Sequence, residues 1–129
     1  MQMKSIILML IIEDEYTTRA LWKKLLEEKG YKVEEARDGM KGYKMLKEIK
    51  PDLVILDLCM EPRGIDTGKN LLEKKSKNMN IMEIPVIIIS GVYSNDDLKN
   101  YKDRFLDVKE VFQKPISDED LIKAIQKCC

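Results

Sequence analysis

Short uninterrupted apolar runs alternate with helix-like segments along the chain, and this alternation restricts the fold more than any other feature. The strongest runs cover residues 6–12, 53–56 and 86–89, and weaker candidates cover 31–34 and 108–112. Runs rich in β-branched residues without polar alternation are typical of strands buried on both faces, as in parallel sheets. We therefore expect five strands, with the weaker segments as outer strands.

A helical pattern follows each predicted strand. These patterns cover residues 16–29, 39–50, about 68–78, 95–105 and a last segment that begins at Ser117 as its N-cap. Strict strand–helix alternation predicts an α/β fold: an open, doubly wound parallel sheet with helices on both faces. Five strands suit the flavodoxin-like order 2-1-3-4-5, and 129 residues suit a single domain over 1–129. Helical periodicity also places Leu21 and Met40 on buried stripes.

Polar side chains follow four of the five predicted strands. Glu13 and Asp14 end the first strand, Asp57 the third, Ser90 the fourth and Lys114 the fifth. In the proposed order the first and third strands are neighbours, about 4.8 Å apart, so their carboxylates can share one site. We expect all of these groups at one edge of the sheet.

Such a cluster has a defined chemistry. Carboxylates held close together repel each other unless a proton or a cation neutralises them. Oxygen ligands alone favour a hard cation, which makes Mg²⁺ the expected ion and Mn²⁺ the alternative. A metal ion, the Lys114 ammonium and the Ser90 hydroxyl together suit the three oxygens of a transferring phosphoryl group, with an aspartate as the nucleophile.

Composition excludes several other functions. The chain has no histidine, which rules out catalysis by imidazole and self-transfer through a phosphohistidine. Lys plus Arg and Asp plus Glu are 23 each, so no overall basic footprint for nucleic acid exists. Charged residues make up 36%, which we interpret as solvated helix faces. The run at 6–12 is too short to cross a membrane, and three cysteines form no disulfide framework, so we expect a cytoplasmic protein.

Several motifs together resemble the receiver domain of response regulators, along nearly the whole chain. They are Ile-Ile-Glu-Asp-Glu at 11–15, Asp-Gly at 38–39, Lys-Pro-Asp-Leu-Val-Ile-Leu-Asp-Leu at 50–58, Pro-Val-Ile-Ile-Ile-Ser-Gly at 85–91 and Lys-Pro at 114–115. Any one of these motifs is weak evidence, but their combination and order are specific.

The resemblance implies a role for each site residue. Asp57 matches the phosphoacceptor, and Ser90 and Lys114 match the residues that contact the phosphoryl oxygens. Asp14, Asp57 and the backbone carbonyl of Cys59 would ligate Mg²⁺, while Glu13 would act through metal-bound water. The resemblance is also compatible with a cis bond between Lys114 and Pro115.

The resemblance also implies partners. A histidine kinase or a histidine phosphotransfer protein would donate the phosphoryl group, and a downstream protein would bind the face built by the fourth helix, fifth strand and fifth helix. We expect a stand-alone regulator that is a monomer or weak dimer, contacts neither nucleic acid nor membrane, and catalyses only its own phosphorylation and dephosphorylation.

The chain departs from the family pattern at three places. The loop after Asp57 runs from 58 to 68, about three residues longer than usual. Val111 occupies the position of the usual aromatic switch residue, and Phe112 should face the opposite side of the strand, in the core. Gly42 stands where alanine is common, which lowers helix propensity.

Three alternatives remain open at this point. A receiver-like module that binds partners without phosphorylation fits the unusual loop and Val111. A Mg²⁺-dependent phosphohydrolase with an aspartate nucleophile would want a second aspartate two residues after Asp57, where this chain has Cys59. A flavodoxin-like electron carrier would need a glycine- and hydroxyl-rich phosphate loop, and the acidic residues 13–15 would repel a phosphate there.

Overall fold

The computed structural model describes residues 6–58, 68–91 and 93–128. Strands and helices alternate along the chain as the sequence predicts. In chain order they are β1 (Leu8–Ile12), α1 (Tyr16–Glu28), β2 (Lys32–Ala36), α2 (Gly39–Ile49), β3 (Leu53–Leu56), α3 (Gly68–Ser76), β4 (Val86–Ser90), α4 (Asn95–Arg104), β5 (Val108–Gln113) and α5 (Asp118–Cys128).

The strands form one parallel sheet in the order β2-β1-β3-β4-β5, which confirms the predicted topology. Ile12 at the end of β1 pairs with Leu56 at the end of β3. The next amide continues this ladder, since the Asp57 N–H donates to the Ile12 carbonyl over 3.0 Å. Residues that follow β1 and β3 therefore emerge side by side.

Successive residues of the central strands supply two separate cores. One core joins Leu10, Val54 and Ile88 to residues of α2, α3 and α4, and the other joins Met9 and Ile55 to residues of α1 and α5. Because side chains alternate across a strand, a sheet covered on both faces needs apolar residues at every position. The unbroken apolar runs in the sequence are a direct consequence of this double burial.

Two residues predicted to be buried are exposed. Leu21 is 62% exposed and Met40 is 53% exposed, so both predictions were wrong. Helix α1 buries Trp22 and Leu26, which lie one turn apart, and Leu21 lies about 100° around the helix from Trp22. Helix α2 packs through Gly39, Gly42 and Leu46, and Met40 is rotated away from that stripe by the same geometry.

Ser117 begins α5 as predicted. Its hydroxyl accepts a hydrogen bond from the Asp120 amide over 3.0 Å. At α1 the cap is Glu15, whose carboxylate accepts from the amides of Thr17 and Thr18. The last residue of the acidic triplet is thus occupied at a helix N-terminus, where an unpaired amide and the helix dipole favour a carboxylate.

Gly42 packs directly against β1. A Cβ atom at this position would lie 2.5 Å from Cδ1 and 2.9 Å from Cγ1 of Ile12, which is fully buried. Glycine at this position therefore allows α2 to approach the sheet closely.

Gly42→Ala is expected to lower the free energy of unfolding by about 1 kcal/mol. Overpacking a buried contact costs about 1–3 kcal/mol, which exceeds the gain of about 1 kcal/mol in helix propensity. Urea denaturation measures the difference. Ile12→Val in the Gly42→Ala background removes Cδ1 and should recover most of the loss; a single variant as stable as the unmodified protein would contradict this account.

Lys75 on α3 is a lysine inside the protein, contrary to the expectation of solvated lysines. Its side chain is fully buried, and its ammonium forms an ion pair with Asp107, which directly precedes β5. It also donates to the carbonyls of Met82 at 3.1 Å and Ile84 at 2.6 Å. Burial lowers the pKa of Lys75, and the hydrogen bond to Asp107 opposes that shift. This ion pair ties α3 to the segments that enter β4 and β5.

Candidate functional site

Three carboxylates converge where β1 and β3 end. Each of Glu13, Asp14 and Asp57 has an oxygen atom within 4.8 Å of one oxygen atom of each of the others. Glu13 and Asp57 are buried, whereas Asp14 is exposed. Since the strand register places Glu13 and Asp57 directly after paired residues, the sheet itself brings these groups together.

Lys114 reaches this cluster from the end of β5. Its ammonium lies 2.7 Å from Oε1 of Glu13 and 3.3 Å from Oδ2 of Asp57. The Lys114 amide donates to the carbonyl of Ser90 over 2.8 Å, which fixes Lys114 beside the end of β4. The Lys114–Pro115 bond is cis, as the sequence allowed. Ser90 is buried, and its backbone is hydrogen-bonded to Lys114, the residue whose ammonium contacts Glu13 and Asp57.

Electrostatics in the cluster favour uptake of positive charge. Burial raises the pKa of Glu13 to about 7; the hydrogen bond from Lys114 lowers it, and the Asp57 charge adds to the rise. Burial alone would lower the pKa of Lys114, but the hydrogen bond to Glu13 and the charges of Asp57 and Glu13 raise it. One ammonium among three carboxylates leaves an excess of negative charge.

The donor set fits a hard divalent cation. The three side chains offer oxygen atoms only, and no described histidine or cysteine thiol belongs to the cluster. Mg²⁺ binds through one or two carboxylates and several waters, and Mn²⁺ accepts the same ligands. The predicted fourth ligand, the carbonyl of Cys59, lies outside the described residues. Glu13, Asp14 and Asp57 therefore form a candidate metal centre.

A family model for the response regulator receiver domain matches residues 9–126. The chain belongs to this family. It is a receiver domain of the kind found in two-component response regulators.

Relatives and solved structures agree with this assignment. The transcriptional regulatory protein PdtaR of Mycobacterium tuberculosis is 33% identical over 119 residues, which are 91% of this receiver and 54% of that protein. Sporulation initiation phosphotransferase F of Bacillus subtilis is 29% identical over 92% of the receiver and 90% of its own length. A response regulator receiver domain protein from Clostridium thermocellum has a TM-score of 0.82 with 27% identity, covering 95% of this chain and 94% of that chain. The receiver thus spans about half the length of PdtaR.

Several features around the receiver site could not be read from the motifs. The Arg19 guanidinium donates to the carbonyl of Glu13 over 2.9 Å, and the ring of Trp22 lies 5.9 Å from the Lys114 ammonium. A Cβ atom at Gly68 would lie 2.9 Å from Cδ2 of Leu58 and 3.1 Å from the Asp57 carbonyl. The only sequence signal for Gly68 was its place at the end of the long loop. Within the described ranges, no helix combines the length and apolar character needed to cross a bilayer.

Val111 and Phe112 on β5 face opposite sides of the sheet, as the sequence predicts. Val111 packs on the α2–α4 side of the sheet, and Phe112 packs on the α1–α5 side. Tyr93, which follows β4, meets the ring of Tyr101 on α4 edge-on with centroids 5.9 Å apart. An aromatic pair therefore joins the segment after β4 to helix α4, on the same side of the sheet as Val111.

The affinity of the receiver for Mg²⁺ is expected to fall below about pH 7. Glu13 has a pKa of about 7, so below that pH a proton competes with the cation for its carboxylate. Displacement of one proton lowers the apparent affinity up to about tenfold per pH unit. Calorimetric titration at about pH 6 and about pH 8 measures this effect. Glu13→Gln should flatten the profile, whereas a pH-independent affinity of the unmodified protein would contradict the prediction.

Proposed function

We propose that this receiver accepts a phosphoryl group on Asp57 from a partner phosphohistidine and then switches a protein-binding face. The observation that carries the proposal is the position of the Lys114 ammonium, 3.3 Å from Oδ2 of Asp57, within a cluster of three carboxylates. A lone buried aspartate would be a poor nucleophile for a phosphate, because like charges repel. Here an ammonium and a cation site face the same carboxylate.

The proposed reaction is an in-line displacement at phosphorus. An oxygen atom of Asp57 attacks, and a C–O–P linkage forms as the P–N bond of the phosphohistidine breaks. The electron pair of that bond passes to the donor imidazole, which takes up a proton. Lys114 and the Ser90 hydroxyl donate to phosphoryl oxygens and stabilise the charge in the transition state.

Metal binding completes the charge balance of this site. Glu13, Asp14 and Asp57, with the Cys59 carbonyl, would hold Mg²⁺ or Mn²⁺. When bound, the cation neutralises negative charge on the phosphoryl oxygens. The Lys114 ammonium pairs with both Glu13 and Asp57 and supplies part of the positive charge that this cluster needs.

The composition of the chain and the contacts near Ser90 suggest where the phosphoryl group comes from and where the signal goes. The chain has no histidine, so a histidine kinase or a histidine phosphotransfer protein must supply the phosphohistidine. The outgoing signal would pass to α4 and β5. The carbonyl of Tyr93 accepts from the Gln113 side chain over 2.8 Å, and the Tyr93 ring meets Tyr101. A shift of Ser90 toward a phosphoryl group would reach both elements through Tyr93.

We further propose that the chain is one domain over 1–129. It would act as a monomer or weak dimer, bind no nucleic acid itself, and deliver its output through a downstream protein at the α4–β5–α5 face. Its catalysis would be limited to its own phosphorylation and dephosphorylation.

Phosphorylation from acetyl phosphate with Mg²⁺ tests the proposal. Intact mass spectrometry is expected to show one added phosphoryl group on the unmodified protein, and none on Asp57→Asn. Asp103→Asn, an exposed aspartate on α4, is the matched control and should be modified normally. A folded protein that gains no phosphoryl group would favour the receiver-like module that works without phosphorylation, and rapid turnover of small phosphate esters would favour a phosphohydrolase.

A further inference from the structure

Arg19 on α1 holds both ends of the acidic turn formed by residues 13–15. Its guanidinium donates through Nη1 to the Glu13 carbonyl over 2.9 Å, and its backbone amide donates to the Glu15 carbonyl over 3.0 Å. The Glu13 carbonyl lies one residue beyond the end of β1. Asp14, the exposed member of the cluster, therefore lies between two backbone carbonyls that one residue fixes.

The guanidinium of Arg19 is itself anchored. Its Nε lies 2.7 Å from Oε1 of Glu35 on β2, and only 13% of the Arg19 side chain is exposed. Lys23, one turn further along α1, contacts the other oxygen of Glu35 at 3.0 Å. The hydrogen bond from Arg19 and, to a smaller extent, the one from Lys23 lower the pKa of Glu35, so that its carboxylate stays charged. The Arg19 guanidinium is planar, so simultaneous contact with the Glu35 carboxylate and the Glu13 carbonyl fixes its orientation.

We propose that Arg19 is a positioning residue for the metal centre. It sets the backbone of the turn that carries Glu13 and Asp14 and thereby the spacing of their carboxylates. Arg19 contacts neither the cation nor the phosphoryl group. The inference builds on the proposed function, since it concerns how the same site is made ready for Mg²⁺.

The proposal predicts that removal of Arg19 weakens Mg²⁺ binding, whereas electrostatics alone predicts that it strengthens Mg²⁺ binding. The direction of the change therefore tests the proposal. Removal of a positive charge near a cation site should strengthen Mg²⁺ binding. Loss of a group that orients metal ligands weakens binding, typically by about 10- to 100-fold. We expect Arg19→Gln to weaken Mg²⁺ binding about tenfold, despite the loss of a positive charge.

Two further variants complete the calorimetric titration. Lys23→Gln is the matched control, because it removes a charge and an ion pair to Glu35 without touching the acidic turn; its Mg²⁺ affinity should stay within about twofold of the unmodified protein. Arg19→Lys keeps the charge but has one ammonium in place of the separate Nε and Nη1 donors that contact Glu35 and the Glu13 carbonyl, so it should resemble Arg19→Gln. Thermal unfolding shows which variants are folded, and Mg²⁺ affinities are compared only among those.

A second measurement needs no metal. The Glu15 amide donates to Oε2 of Glu13 over 3.1 Å, so its hydrogen exchange reports on the turn. Exchange at this amide should accelerate in Arg19→Gln and Arg19→Lys, and remain unchanged in Lys23→Gln. Unaltered exchange in the Arg19 variants, or Mg²⁺ affinity equal to or tighter than that of the unmodified protein, would overturn the proposal. Neither measurement uses a phosphoryl donor, so a failure of Asp57 phosphorylation would be recognised separately.

Discussion

Replacement of Lys75 with methionine is expected to lower the free energy of unfolding by about 3 to 5 kcal/mol. The ammonium is fully buried and forms an ion pair with Asp107, which is itself 8% exposed. Methionine fills a similar volume but leaves a buried carboxylate without its counter-ion. It also removes the donor that the carbonyls of Met82 and Ile84 share. Urea denaturation followed by circular dichroism measures the loss.

Two further variants show whether the ion pair causes this effect. Lys74→Met lies one residue away on the exposed side of α3 and should change stability by less than about 1 kcal/mol. The double variant Lys75→Met/Asp107→Leu removes both charges, and it should be about 1 to 3 kcal/mol more stable than the sum of the two single losses predicts. Strict additivity would mean that the two side chains do not interact in solution.

Replacement of Lys114 with methionine is expected to slow phosphorylation by acetyl phosphate about 100- to 1,000-fold. This is the usual cost of removing one donor that faces charge developing in a transition state. The same change should strengthen Mg²⁺ binding, because the ammonium lies 2.7 Å from Glu13 and 3.3 Å from Asp57 and competes with the cation for both carboxylates. Rate and affinity should therefore move in opposite directions.

Lys109→Met is the matched control for this experiment. Lys109 also belongs to β5, but it lies near the start of the strand, whereas Lys114 follows its end, and the Lys109 ammonium donates to the carbonyl of the exposed residue Leu106. Phosphorylation rate and Mg²⁺ affinity should both stay unchanged. If Lys114→Met weakened Mg²⁺ binding and phosphorylation together, Lys114 would act mainly by maintaining the fold of the site rather than by contacting the phosphoryl group.

Topology and the members of the site could be predicted from the sequence for one physical reason. In a parallel sheet every strand ends at the same edge, so the residue after each apolar run has a defined location. Glu13, Asp57 and Lys114 are far apart along the chain, yet each follows a strand whose place in the sheet the strand order fixes. The pattern of apolar runs was therefore sufficient to predict which polar residues lie close together.

Contacts that depend on helix rotation or on long side chains could not be predicted in this way. The rotation of α1 about its axis decides that Trp22 rather than Leu21 enters the core, and both residues are apolar. Lys75 looks like its solvated neighbours in sequence, and only the approach of Asp107, 32 residues later, makes its burial favourable. Glu15 belongs to the acidic triplet by sequence but caps α1 in the structure.

The close contact of Gly68 with Leu58 and Asp57 bears on how receivers of this kind diversify. Because these residues touch, the described residues on the two sides of the interval 59–67 lie side by side next to Asp57. Doubling the length of a loop closed at its base costs only about 0.6 kcal/mol. Insertions there can add surface next to Asp57 while the strand that carries Asp57 keeps its register. A change of chain length between Leu58 and Gly68 therefore leaves the place of Asp57 beside Ile12 unchanged.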